Sequence, residues 1–311
     1  MNEQTQINSK TRSKLSIWIQ AFRPFAYSAS VTPVILAAML ALTYNPDRTY
    51  WFLFPVILIC AVLFHTGANL VSEYFDYKNQ VDKSDTFGSS RVLVEGLLQP
   101  KQVLNAGIIL FALGFVLGLI LVYFRGTDIL ILGLIGLIGG YFYTAKPFQF
   151  KYIALGDLLI FLLFGPLLVL GAYLGLTGEM NYSVLLVSIP IGFLVVAILH
   201  ANNTRDIKFD RRAQIKTLAM LVGLKGAKIE YYFLIFGAFL SVILLILFKI
   251  LSPWSLLVFV SLPPALKNVK LISNVDAENP ASIAMLDVLT AQHHMIFGLL
   301  LSIGILISYF I

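Results

Sequence analysis

The chain has 311 residues, of which 59% are hydrophobic and only 12% are charged. A soluble domain carries roughly 25% charged residues, so this composition excludes an ordinary soluble protein and indicates an integral membrane protein. The net charge of +6 suits anionic lipid headgroups or an anionic substrate, and no nucleic-acid-binding module accompanies it. We therefore expect the lipid bilayer, and no nucleic acid, among its partners.

Nine apolar stretches follow one another along the chain. A helix needs about 20 apolar residues to cross the hydrocarbon core of a bilayer. We therefore predict an all-α integral membrane fold with nine transmembrane helices in one bundle and with cytoplasmic cap loops. Residues 1–311 form a single domain in this interpretation, and residues 1–17 form a polar cytoplasmic leader. The predicted spans are 24–44, 51–72, 103–124, 128–145, 155–176, 182–201, 229–249, 253–272 and 293–311.

The basic residues are distributed unevenly between the two ends of these spans. With the N-terminus in the cytoplasm, 19 of the 22 Lys and Arg residues fall on the cytoplasmic side, and the other three are Arg48, Arg125 and Lys249. Cytoplasmic loops of membrane proteins are enriched in Lys and Arg, so this asymmetry predicts nine spans with the C-terminus outside. The long connection 73–102 predicts a partly ordered cap.

The first polar cluster lies at the end of the second predicted span. It reads Asn69-Leu-Val-Ser72-Glu73-Tyr-Phe-Asp76-Tyr-Lys-Asn-Gln-Val-Asp82 and is called the first motif below. Ionisable side chains near membrane depth indicate a functional site. For Asn69, an interhelical hydrogen bond is nearly as good an explanation as a ligand role.

The second polar cluster, called the second motif below, lies at the end of the sixth predicted span. It reads Asn202-Asn203-Thr-Arg205-Asp206-Ile-Lys-Phe-Asp210. Asp206 and Asp210 share a helix face, and their repulsion is relieved by a divalent cation between them. If the two motifs face each other, they hold Mg²⁺ and, through it, a diphosphate. The alternative is a solvated helix end whose basic neighbours neutralise the aspartates.

These motifs resemble those of the UbiA superfamily of intramembrane prenyltransferases, whose signatures are an NDxxDxxxD-type motif and a later DxxxD. The resemblance is closest to the branch that prenylates naphthoquinone precursors. Further matching stretches are Arg23-Pro24, Tyr143-Thr144, Lys151-Tyr-Ile-Ala-Leu-Gly156-Asp157 and Lys216-Thr-Leu-Ala219.

The first motif departs from the family pattern. Ser72 stands where the family usually carries Asn, and Glu73 replaces the commoner Asp. Asp82 comes two positions later than in the shortest family form, a spacing that resembles the naphthoquinone branch. The exact ligand set on this side is therefore open, with Asn69 as a substitute oxygen ligand.

The resemblance implies an Mg²⁺-dependent aromatic prenyltransferase of menaquinone biosynthesis in a bacterial inner or plasma membrane. Such an enzyme transfers a polyprenyl group from a polyprenyl diphosphate to an aromatic ring, here 1,4-dihydroxy-2-naphthoate. By resemblance, the catalytic metal ligands are Asp76, Asp82, Asp206 and Asp210. The residues expected to bind the diphosphate or complete the metal shell are Arg23, Asn69, Arg91, Lys146, Lys151, Asn202, Asn203 and Arg205. For most of the basic residues, the alternative role is to set the membrane topology.

Two other functions fit the sequence. One is prenylation of another aromatic acceptor, such as 4-hydroxybenzoate, and the other is cation-coupled transport. Transporters place their ligands near the bilayer midplane on broken helices, whereas these acids lie at helix ends. His65 and His200, each alone on an apolar span, are interpreted as packing residues, and Asp157 as a helix N-terminal charge or a catalytic group. The sequence leaves the oligomeric state, the prenyl chain length and the general base open.

Overall fold

The computed structural model describes residues 12–276 and 279–311. Residues 1–11 of the predicted leader lie outside these ranges, and its last residues begin the first helix at Lys14. The described residues form helices and isolated β-bridges but no strand. The helices are α1 (Lys14–Phe22), α2 (Ser28–Tyr44), α3 (Phe54–Lys78), α4 (Pro100–Arg125), α5 (Thr127–Phe142), α6 (Gly156–Leu162), α7 (Leu168–Thr177), α8 (Tyr182–Arg212), α9 (Leu218–Leu247), α10 (Leu262–Ser273) and α11 (Leu286–Phe310).

Eight helical stretches in the described part of the chain are long and apolar enough to cross a membrane. The sequence predicts nine, and the difference lies at α5, which falls within the predicted span 128–145 but has only 16 residues. Gly126, at φ 81°, ends α4 and directly precedes α5. This geometry leaves no long loop between the two helices. The fold fits an integral membrane protein.

Two predicted helix starts are wrong. α9 begins at Leu218 rather than at 229, and α11 begins at Leu286 rather than at 293. The predicted bounds follow hydropathy, and polar residues such as Lys225 and Lys228 excluded the first turns of α9. Backbone hydrogen bonds continue through such residues regardless of their polarity. Within α9, Gly223 adopts φ 68° and kinks the helix.

α6 and α7 are joined by a π-helical segment, Leu163–Leu167, which contains Pro166. Proline cannot donate a backbone hydrogen bond, and π-bulges commonly relieve such interruptions. A Cβ on Gly165 would lie only 3.0 Å from the Cα of Gly192 on α8. Two glycines therefore allow the backbones of this segment and α8 to approach closely, as small residues do in membrane bundles.

The bundle is built from a few extensive helix pairs. α3 packs chiefly against α4, α8 against α9, and α11 against α2. The largest fully buried side chains are Tyr173, Tyr231 and Phe297, which lie on α7, α9 and α11. α3 and α8 continue beyond their apolar stretches and carry the first and second motifs near their C-terminal ends.

Two connections pack over this end of the bundle. Residues 79–99, called the cap loop, contain turns but no helix, and their Val92 and Leu93 are buried with Ile17 of α1 and Leu70 of α3. Residues 143–155 join α5 to α6. Their backbone pairs with residue 216, where Ala154 N–H donates to the Lys216 carbonyl at 2.6 Å. The connection is thereby fixed beside the end of α8.

Candidate active site

The two acidic motifs meet across the cap loop at Gly88. A Cβ placed on Gly88 would lie 3.1 Å from Asp206 Oδ2 and 3.6 Å from Asp82 Oδ1. Phe87, next to this glycine, contacts Phe209 of α8 edge to face, with ring centroids 6.1 Å apart. The fold thus brings together carboxylates that are more than 120 residues apart in sequence, because α3 and α8 end on the same side.

Asp76 accepts three side-chain hydrogen bonds, more than any other carboxylate of the first motif among the described residues. Its Oδ2 accepts from Lys151 Nζ at 2.7 Å and from Ser72 Oγ at 3.1 Å, and its Oδ1 accepts from the Tyr152 hydroxyl at 2.7 Å. Burial works to lower the pKa of Lys151, but the Asp76 carboxylate holds that pKa well above its usual range. Burial, followed by the Asp76 carboxylate, raises the pKa of Tyr152, so its phenol remains a donor. The 143–155 connection therefore supplies two donors to the first motif.

Glu73 has different partners and anchors the cap loop. Its Oε2 accepts from Arg23 Nη2 and from the backbone N–H of Ser90, both at 2.8 Å. The Glu73 side chain is only 2% exposed. The residues on either side of Ser90, Ser89 and Arg91, both adopt positive φ. A buried carboxylate thus fixes a tightly turned part of the cap loop against α3.

The second motif is organised by Arg205. This side chain is 3% exposed and donates twice to Asp206, from Nε to Oδ1 at 2.9 Å and from Nη2 to Oδ2 at 2.8 Å. Its Nη1 lies 3.6 Å from Asp287 Oδ2, at the start of α11. Such a paired guanidinium carries a fixed, delocalised positive charge. Asp287 was not predicted from the sequence, because it stands outside both motifs and becomes a neighbour only when α11 packs against α8.

Asp82 and Asp210 complete the acidic set. Asp82 Oδ2 is buried and has no hydrogen-bond partner among residues 12–276 and 279–311. Burial and then the Asp76 carboxylate raise the pKa of Asp82 to about 7. Asp210 is 5% exposed and accepts from Thr217 Oγ1 at 3.2 Å. Closely spaced, desolvated carboxylates are costly unless a cation joins them.

A cavity of about 380 Å³ begins at these carboxylates and continues between apolar helices. Its polar end contains Asp76, Asp82, Asp206, Asp210 and Asp287. The other predicted site residues that line it are Arg23, Asn69, Lys151, Asn202, Asn203 and Arg205. Its apolar part is lined largely by α3, α4, α5 and the segment from α6 to α7, including Phe64, Leu119, Ile129, Gly133 and Leu167.

Two of the predicted diphosphate-binding residues do not line this cavity. Arg91 donates instead to the carbonyls of Thr86 and Ser84 and to Glu95, all within the cap loop. Lys146 is exposed in the 143–155 connection. Tyr152, which donates to Asp76, was missed, although its position next to Lys151 was the available signal.

The sequence pattern that defines the UbiA prenyltransferase family matches residues 30–293 of this chain. The chain belongs to the UbiA prenyltransferase family. The predicted resemblance is therefore confirmed, and a prenyltransferase is favoured over a cation-coupled transporter.

Two curated relatives of this UbiA family member are informative. It is 34% identical to 1,4-dihydroxy-2-naphthoate octaprenyltransferase of Bacillus subtilis (strain 168) over 294 residues, which cover 94% of this chain and 93% of that protein. It is 40% identical to human UbiA prenyltransferase domain-containing protein 1 over 238 residues, covering 74% and 68% of the two chains.

A solved structure shares the fold. A UbiA homolog from Archaeoglobus fulgidus bound to GPP and Mg²⁺ superimposes with a TM-score of 0.63 at 17% identity, covering 92% of this chain and 100% of that one. At 17% identity, this similarity shows a shared fold and nothing further.

Proposed function

We propose that this UbiA family member transfers a polyprenyl group from a polyprenyl diphosphate to an aromatic ring, with 1,4-dihydroxy-2-naphthoate as the acceptor and with Mg²⁺ as the metal. One observation carries the proposal: the two acidic motifs converge at one end of a long apolar cavity. That arrangement suits a ligand with an anionic head and an apolar tail. The acceptor is supported by the similarity to the Bacillus subtilis naphthoate octaprenyltransferase over nearly the whole of both chains.

The donor atoms fit a hard divalent cation. Mg²⁺ prefers oxygen ligands and binds through carboxylates together with substrate phosphates. Asp82 offers a buried, unpartnered oxygen, and an oxygen of Asp206 faces it beside Gly88. We assign Asp76, Asp82, Asp206 and Asp210 as the carboxylates that would hold the metal, with Asn69 and Asn202 as neutral oxygen donors. When bound, Mg²⁺ supplies charge neutralisation at the diphosphate. The Archaeoglobus fulgidus homolog was solved with Mg²⁺ and GPP.

Basic side chains would complete diphosphate recognition. Lys151 and Arg205 both line the cavity, each already paired with an aspartate of one motif. Their donors stabilise the charge that develops on a departing diphosphate, and fixed donors require little reorganisation. The allylic C–O bond then breaks and the ring carbon bonds to the prenyl carbon, after which the ring loses a proton. The apolar walls exclude water, which would otherwise capture the reactive prenyl group.

We also propose that the chain works as a single domain of nine spans, with α5 as the short additional span. The cytoplasmic end is the one that carries both motifs, and the C-terminus faces outside. The distribution of Lys and Arg supports this orientation. Prenyl diphosphates and Mg²⁺ are available in the cytoplasm, so this orientation places the polar end of the cavity where its ligands are.

The test is an assay of the purified protein in lipid nanodiscs with a radiolabelled polyprenyl diphosphate. 1,4-Dihydroxy-2-naphthoate and 4-hydroxybenzoate are compared as acceptors, with Mg²⁺ and with a chelator. We expect a prenylated product from the naphthoate only, and only with Mg²⁺. Equal use of 4-hydroxybenzoate would overturn the acceptor assignment, and full activity in chelator would overturn the metal assignment.

A further inference from the structure

A second cluster of potential metal ligands lies outside the cavity. Asp157 on α6, His200 on α8 and Glu230 on α9 place their ligand atoms within 4.8 Å of one another. None of the three lines the cavity. His200 is fully buried and Asp157 is 5% exposed. These residues are called the buried triad below.

The hydrogen bonding of His200 fixes the direction of its lone pair. Its Nε2 lies 2.9 Å from the carbonyl oxygen of Ala227. A carbonyl only accepts, so Nε2 carries the proton, and in a neutral imidazole Nδ1 carries the lone pair. That Nδ1 faces Asp157 Oδ1 at 3.5 Å and Glu230 Oε2 at 3.6 Å. Glu230 lies one helical turn after Ala227, so α9 supplies both the acceptor for Nε2 and a ligand atom.

When the His200 imidazole is neutral, three acceptor atoms therefore converge with no donor between them. Nδ1 of His200 and Oδ1 of Asp157 are both buried and have no hydrogen-bond partner in the described part of the chain. Among the described residues, neither carboxylate of the triad is paired with a Lys or Arg side chain. Asp157 is desolvated, whereas the Glu230 side chain is 19% exposed. Two carboxylates and a lone pair this close repel one another unless a cation lies between them.

The spacing favours a metal over a hydrogen-bonded proton. N–H···O hydrogen bonds have heavy-atom distances of roughly 2.7–3.2 Å, shorter than either separation here. A tetrahedral zinc site with ligand distances of about 2.1 Å has edges of about 3.4 Å, close to both. A histidine that ligates a metal also characteristically donates its other ring N–H to a carbonyl or carboxylate, as His200 does.

We propose that the buried triad is a second metal site, distinct from the acidic motifs, that binds a transition-metal dication of the Zn²⁺ class. Two carboxylates and one imidazole neutralise such an ion and leave a fourth position for water, and the imidazole selects against Mg²⁺. The site lies next to the cavity, because Asn203 lines the cavity and its Nδ2 is 3.5 Å from Asp157 Oδ2. This proposal does not depend on the proposed substrate.

The purified full-length protein is first stripped of metal with EDTA. It is then titrated with Zn²⁺ in the presence of excess Mg²⁺, so that Mg²⁺ occupies the acidic motifs, and the metal that the protein retains is measured. Zinc per chain is determined by mass spectrometry, and thermal unfolding is followed in parallel. We expect one Zn²⁺ per chain and a higher Tm with Zn²⁺ in the wild type. His200→Gln and Glu230→Gln lower the affinity at least about tenfold. Asp206→Asn in the second motif and His294→Gln, a buried histidine outside the triad, are controls that retain Zn²⁺.

Absence of retained Zn²⁺ in the wild type would overturn the proposal and leave a protonated His200 as the cation between the carboxylates. Equal retention in the triad variants would also overturn it. If those variants fail to fold, Co²⁺ replaces Zn²⁺ in the wild type in excess Mg²⁺. Intense visible absorption from tetrahedral Co²⁺ supports the triad, whereas the weak bands of octahedral Co²⁺ contradict it.

Discussion

Lys151 Nζ lies 2.7 Å from Asp76 Oδ2, so a basic side chain from the connection between α5 and α6 meets a carboxylate of α3. We expect Asp76→Asn and Lys151→Met each to lower kcat/KM by about 100-fold, the scale for loss of one fixed electrostatic contact in an active site. Because the two groups touch, the double variant should lose less than the two single losses combined. Steady-state kinetics in nanodiscs gives kcat/KM for the wild type, the two single variants and the double variant.

Lys146→Met is the matched control for that experiment. Lys146 lies in the same connection but is exposed and does not line the cavity. Its loss should leave kcat/KM near the wild-type value. A large loss in Lys146→Met, together with normal activity in Lys151→Met, would contradict the assigned roles.

Ser72 donates to Asp76 at 3.1 Å and orients that carboxylate. Ser72→Ala should weaken the apparent Mg²⁺ affinity by about 10-fold, as losses of partners behind metal ligands do. Saturating Mg²⁺ should restore most of kcat, since the charged ligand remains. Ser72→Asn should retain activity, because the longer amide side chain brings its carbonyl oxygen within reach of the cation. An Mg²⁺ titration of activity for both variants checks this, and an inactive Ser72→Asn beside a normal Ser72→Ala would remove position 72 from the metal site.

We expect Glu73 to serve the fold rather than the metal. Removing one partner of a buried ion pair leaves an uncompensated charge, so Glu73→Ala should cost about 3 kcal/mol of stability. Arg23 and Ser90 both lose their acceptor, and hydrogen exchange in the cap loop should increase. Glu95→Ala is the control, because Glu95 is 34% exposed in its pair with Arg91 and its loss should cost less than about 1 kcal/mol. Equal thermal destabilisation by the two variants would contradict this role for Glu73.

The apolar cavity should limit prenyl chain length at Gly133. This residue lines the cavity, and a Cβ placed on it would meet no atom within 4 Å. Gly133→Phe should therefore fill the cavity without a steric clash at its root, and should lower kcat/KM for long prenyl diphosphates more than for geranyl diphosphate. Ile131→Phe, on an exposed position of the same helix, should leave the ratio of kcat/KM for long prenyl diphosphates to kcat/KM for geranyl diphosphate unchanged. An unchanged ratio in Gly133→Phe would place the prenyl tail elsewhere.

The membrane orientation is tested with reporters that are active on only one side. A reporter fused after Ile311 should report the exterior, and one inserted near residue 215 should report the cytoplasm, because basic loops remain inside. Detection of both reporters on the same side of the membrane would exclude the nine-span arrangement.

Local sequence determined the approximate positions of the helices, the shared face of Asp206 and Asp210, and the family of this protein. The length and composition of each apolar stretch predicted helices near their observed positions, because backbone hydrogen bonds in a bilayer can be satisfied only within helices or closed barrels. The spacing of Asp206 and Asp210 placed both on one face of α8, since helical periodicity is a local property. The family resemblance rested on such short motifs, and the family match confirms it.

Only the tertiary structure decided which side chains meet. Asp76 with Lys151, Arg205 with Asp287, and Gly88 with Asp206 are pairs between distant segments, so no local pattern encodes them. From the sequence, His200 is interpreted as a packing residue, because nothing near it in the chain marks Asp157 or Glu230 as neighbours. These contacts depend on how α3, α6, α8, α9 and α11 pack, and packing depends on the shapes of whole helix faces, whereas hydropathy and motif spacing report one segment at a time.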